Sequence, residues 1–127
     1  MKNNKCMLIY GFTDDEKEIL NAIIKDVKES KLIEISETMT LMTLKDIING
    51  LKIDVVSGSV PDEKVIIFNN YSDEELEATI KAIRTNLKSR PIMAVVTETS
   101  INWTFSDLIK HLIEEREWYK SEQNRRE

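Results

Sequence analysis

The chain predicts an α/β fold: a small open sheet of four strands, parallel, in the order 2-1-3-4, built from two tandem strand-helix-strand-helix units. Three observations carry that prediction. Apolar runs and amphipathic stretches alternate four times along the chain. Three of the four runs are apolar throughout, which suits strands covered by helices on both faces. The chain also repeats itself. Cys6-Met7-Leu8-Ile9-Tyr10, leading into Phe12-Thr13-Asp14-Asp15-Glu16, answers Val65-Ile66-Ile67-Phe68-Asn69, leading into Tyr71-Ser72-Asp73-Glu74-Glu75. A second phrase, Glu37-Thr38 with Thr43-Leu44-Lys45-Asp46-Ile47-Ile48, answers Glu98-Thr99 with Thr104-Phe105-Ser106-Asp107-Leu108-Ile109. The offset is 59 positions at the first phrase and 61 at the second, so residues are added between helix and strand in the second copy. The repeats span 6–51 and 65–112, within one domain covering 1–127. A ferredoxin-like α+β sheet, with two strand-helix-strand units packed antiparallel, is the alternative.

The first strand is read at residues 5–10, ended by Gly11. Thr13 and Glu16 then form a capping box. Ile19, Leu20, Ile23, Ile24 and Val27 give the following helix one apolar face. Leu32, Ile33 and Ile35 form a shorter strand that alternates with Glu34 and Ser36, as an edge strand does. Thr43 caps a short helix that stops at Asn49-Gly50. Residues 52–63 are the least regular and read as a linker. The third strand covers Val65 to Phe68. Ser72 and Glu75 repeat the capping box, and Leu76, Ile80, Ile83 and Leu87 repeat the apolar face. Pro91 ends that helix by disfavouring helical geometry at Arg90. Ile92 to Val96 is the fourth strand. Thr104 caps the last helix, with Trp103 and Leu108 as a hydrophobic staple. A charged helical tail follows at 114–127.

Composition narrows the function. A net charge of −5 with both signs mixed disfavours nucleic acid and anionic membranes. One cysteine forbids an internal disulfide, and Cys6 reads as a buried thiol. No segment reaches the length of a membrane span or shows a secretion-signal pattern, so a cytoplasmic protein is expected. Three glycines and no glycine-rich loop argue against a nucleotide site. Acids at both main helix starts, Asp14-Asp15-Glu16 and Asp73-Glu74-Glu75, would repel a phosphate. His111 is the lone histidine and sits mid-helix. No serine lies in a nucleophile-elbow pattern. Neither a metal set, a cofactor nor a catalytic constellation is expected.

In a parallel sheet, ligands bind beyond the carboxyl ends of the strands. The candidate crevice therefore lies between Tyr10, Gly11 and Asn69, Asn70, with Glu98, Asn102 and Trp103 from the last loop. Glu37 and Glu98 are either an acid-base pair or solvated acids before turns. Trp103 either stacks on a planar ligand or acts only as the staple. Trp118 and Tyr119 lie past the repeat; they either pack within the chain or mark a candidate contact with a second copy or another protein.

The phrase Ala94-Val95-Val96-Thr97-Glu98-Thr99, followed by Ile101-Asn102-Trp103-Thr104 and an amphipathic helix, resembles the bacterial family known as domain of unknown function 3783. Val65-Ile66-Ile67-Phe68-Asn69 running into Tyr71-Ser72-Asp73-Glu74-Glu75-Leu76, and the opening Leu8-Ile9-Tyr10-Gly11-Phe12, are similar to it too. The likeness is strongest over 65–115. It implies a bacterial, cytoplasmic protein and no established activity, cofactor or catalytic residue. The expected function is a non-enzymatic protein-interaction or regulatory module, self-associating or bound to a protein partner. A small-molecule binding domain, with its site at the carboxyl ends of strands one and three, is the alternative.

Overall fold

The computed structural model describes residues 5–50 and 62–125. Most of the linker read at 52–63 lies outside the described residues. The strands are β1 (Cys6–Tyr10), β2 (Lys31–Glu34), β3 (Val65–Asn69) and β4 (Ile92–Val95). The helices are α1 (Asp14–Ile24), α2 (Leu44–Ile48), α3 (Asp73–Asn86) and α4 (Phe105–Arg125). A single 3-10 turn precedes α2 at Glu37–Met39 and another precedes α4 at Ser100–Asn102. None of the described helices is long and apolar enough to cross a membrane.

The strands form one open sheet in the order β2-β1-β3-β4. That is the expected order, but the sheet is mixed. β1 pairs with β2, and β3 with β4, in parallel, whereas β1 and β3 run antiparallel. The sheet thus joins the order of the parallel reading to the antiparallel relation between units that the ferredoxin-like alternative carried. The expectation of an all-parallel sheet rested on continuous apolar strands. Those residues record cover on both faces and say nothing about direction. Here α1 and α3 cover one face, packing on Met7, Ile9, Ile66 and Phe68. Helices α2 and α4 cover the other, over Cys6, Leu8, Tyr10, Val65 and Ile67. Strand alternation sends successive side chains into the two cores.

Both predicted capping boxes are present. The Thr13 hydroxyl accepts from Glu16 N–H while the Glu16 carboxylate accepts from Thr13 N–H, and Ser72 and Glu75 do the same. Three residues separate the two main helices in length: α1 has 11 and α3 has 14. The sequence predicts a longer connection between helix and strand in the second half; in the structure that connection is one residue shorter there, and α3 itself is the longer helix. Thr79 is a buried polar residue on α3 that the apolar pattern does not reveal. Helix α4 continues without a break to Arg125, so the charged tail is its second half.

The two halves meet at matching positions. Leu8 pairs with Ile67 at the middle of the central β1–β3 ladder. Above it, Thr43 and Thr104 form an antiparallel bridge. There Leu44 N–H donates to Trp103 O and Phe105 N–H to Met42 O, each at 3.0 Å.

Candidate functional site

Antiparallel β1 and β3 separate the residues of the expected crevice. Tyr10 lies opposite Val65, and Asn69 opposite Cys6. Tyr10 and Gly11 therefore sit at one end of the sheet, and Asn69 and Asn70 at the other. The carboxyl ends of β1 and β3 form no common site. Glu37 and Glu98, which follow β2 and β4, start from opposite ends as well.

Several of those residues have a structural task. Tyr10 is buried, with its ring 5.1 Å from that of Phe105. Gly11 (φ +85°) and Asn70 (φ +63°) are the left-handed residues that turn the chain from strand toward helix. Asn69 hydrogen-bonds the Cys6 thiol. Burial nonetheless pushes that thiol up to about 11, which leaves it an inert core group at neutral pH. Glu98 and Asn102 are exposed in the turn before α4. Trp103 is half-buried against the α2/α4 core, with its ring edge-on to His111 at 5.3 Å. Its place before the Thr104 cap is that of the staple residue, and the Thr104 hydroxyl accepts from Asp107 N–H at 3.1 Å. Among the described residues, no three His, Cys, Asp or Glu side chains gather as metal ligands.

Among the described residues, one highly connected polar group is marked by the sequence only as a cap. Glu16 accepts from Lys64 Nζ at 2.8 and 2.9 Å and from the Ser89 hydroxyl at 2.6 Å, besides closing its box with Thr13. Burial works to raise its pKa. The hydrogen bonds from Lys64, Ser89 and Thr13 together outweigh that and bring it down to about 2. Across the sheet, Lys5 Nζ donates to Glu75 at 2.7 Å and lowers its pKa. Each lysine immediately precedes the first strand of its own half and binds the capping glutamate of the other half.

The Glu16 pair links stability to pH. A carboxylate whose folded pKa lies below its ordinary value of 4.5 stabilises the fold fully above that value. The contribution fades as pH falls toward about 2. Glu16→Gln is expected to cost about 2 kcal/mol at pH 7, allowing for solvent screening of the partly open pair. Urea unfolding of both proteins between pH 7 and 2 measures the difference, which should shrink on acidification. A gap that stays constant with pH would show that the charge on Glu16 is not responsible.

The remaining feature is the second half of α4. Phe105, Leu108 and Ile109 are buried, and Leu112 and Ile113 partly so. Arg116 then forms a two-pronged bond to Glu63, at 2.7 and 3.2 Å. The guanidinium holds the Glu63 carboxyl below the usual range. Just beyond this anchor, Trp118 is 59% and Tyr119 62% exposed, their rings edge-on at 5.1 Å. Sequence reasoning found the two aromatics but missed the anchor, because Glu63 and Arg116 are 53 positions apart.

Residues 64–119 match the model of a family described as a domain of unknown function, DUF3783. The resemblance read from the sequence over 65–115 falls inside that match. No curated protein and no solved structure matches the chain.

Proposed function

We propose that the chain, whose residues 64–119 carry a domain of unknown function of the DUF3783 family, is a non-enzymatic protein-interaction module that self-associates through the distal part of α4. One observation carries this reading: two large aromatic side chains stand in solvent just past the last anchor of a long helix. Tryptophan and tyrosine are the residue types that most often dominate protein contacts, and exposing both has a cost that a partner would remove. A cytoplasmic location in a bacterial cell belongs to the same reading, supported by the family resemblance and the single buried cysteine.

The same reading includes an origin by duplication of 6–51 and 65–112. Its support is the reciprocity of the contacts. Lys5–Glu75 and Lys64–Glu16 exchange across the halves, as do the two backbone bonds around Thr43 and Thr104. Ser30 meets the Tyr71 hydroxyl at 2.7 Å, while Ser89, 59 positions on, reaches Glu16. Phe12 stands where the second half has Tyr71 and offers no hydroxyl to Ser89. The protein is then a fused pair of like units, and a further self-pairing would extend a habit already built into the fold.

Sedimentation equilibrium tests the contact. The wild-type chain is expected to form a dimer, and Trp118→Ala to weaken it by about 2 kcal/mol, near thirtyfold in Kd. A Trp118→Ala protein that associates as tightly as the wild type would remove α4 from the interface.

A further inference from the structure

We infer that the aromatic end of α4 docks, in a second copy of the chain, into the groove between α3 and β4. This rests on the self-association proposed above and names the surface that receives it. The groove encloses about 560 Å³. Met93 and the edge of Leu87 supply its apolar floor over the buried Ile83, and Arg84, Lys88 and Arg90 its rim. All three cations are exposed, and none forms an ion pair among the described residues. On a chain of net charge −5, three unpaired cations around an apolar slot fit an acidic partner with large apolar side chains.

Helix α4 presents that chemistry. Helical spacing places Glu114 and Glu115 on the same side as Trp118, one turn before it. The groove cations can pair with those acids, and a guanidinium can cover an aromatic face. In its own chain the helix does not occupy the groove, and Trp118 stands in solvent. The helix lies over the Leu8 and Ile67 face of the sheet, whereas Ile83 and Leu87 pack on the Met7 and Ile9 face. The occupant we assign is a second copy, on the complementarity of the acidic, aromatic helix end to the basic, apolar groove. Each copy carries both a helix end and a groove, so mutual docking closes a twofold dimer.

Charge reversal tests the pairing in the full-length chain. Arg84→Glu with Lys88→Glu makes the groove acidic, and Glu114→Lys with Glu115→Lys makes the helix end basic. Each double variant alone faces like charges at both contacts, and sedimentation equilibrium should show its Kd raised at least about tenfold. Mixed together, the two variants regain complementary charge at both contacts and should form a heterodimer near wild-type affinity. Arg84→Gln with Lys88→Gln, a milder change, should weaken the dimer in the same direction, and circular dichroism checks that each variant is folded. A groove reversal that leaves the dimer intact, while Trp118→Ala dissolves it, overturns the groove and spares the α4 contact. A dimer that needs the groove but not Trp118 overturns the docking of α4. A wild-type chain that stays monomeric at about 100 μM, well above the micromolar affinities of weak specific contacts, overturns both readings.

Discussion

Gly11→Ala is expected to lower stability by about 3 kcal/mol, while Gly50→Ala, at nearly the same backbone angle, costs about 1 kcal/mol. Gly11 has φ +85° and Gly50 φ +82°, so both pay for putting a Cβ in the left-handed region. They differ in surroundings. A Cβ on Gly11 would lie 2.2 Å from the backbone carbonyl oxygen of Glu63, whereas one on Gly50 meets nothing within 4 Å. Backbone cannot swing aside as a flexible side chain can, so the segment before β3 must move. That segment carries Glu63, the anchor of Arg116, and Lys64, the partner of Glu16. Urea denaturation of the two variants with an unchanged slope gives the comparison directly. Equal losses at the two sites would mean that the close approach to Glu63 does not matter.

Phe105→Ala should cost about 4 kcal/mol, a large share of the 5–15 kcal/mol that holds an ordinary domain folded. Phe105 is 1% exposed and opens α4. Its ring packs on Tyr10, and its N–H donates to Met42 O across the seam between the halves. Truncation leaves a cavity beneath the seam while keeping the backbone bond. Trp103→Ala removes a larger ring but one that is half-buried, and about 2 kcal/mol is expected there. Thermal and urea unfolding rank the two. If Trp103→Ala proves the more damaging, its ring rather than Phe105 is the anchor of the α4 start.

The strands and the caps were legible because each rests on local pattern, and the strand order because right-handed crossovers leave few topologies. Thr13 with Glu16, and Ser72 with Glu75, state helix starts that the chain adopts as written. The direction of β3 against β1 was not legible. Leu8 and Ile67 on one face, and Ile9 and Ile66 on the other, are buried whichever way the strands run, so their apolar character carries no direction. The candidate crevice failed with that one choice. Its residues had been marked by a true signal, since Gly11 and Asn70 do adopt unusual backbone angles, but the turn out of a strand accounts for them. The exposed aromatics of α4 were legible as a departure from the repeat. The groove was not, because Arg84 and Lys88 look like any solvated helix face until Arg90 and Met93 are placed beside them.

The reversed central pair also shapes the electric field of the molecule. Helices α1 and α3 lie side by side on one face. Each returns across the sheet from its own strand, so opposed strands give opposed helices. Their macrodipoles point in contrary directions and largely cancel along the layer. In a parallel α/β sheet the positive helix ends all open on one side, and their summed potential draws phosphates there. In this protein the positive ends are divided between two sides, and each already faces its own carboxylates, Asp14 to Glu16 or Asp73 to Glu75. Neither side of the sheet therefore gathers a summed helix potential for an anion, and the positive potential of the described surface comes from side chains, Arg84, Lys88 and Arg90 among them.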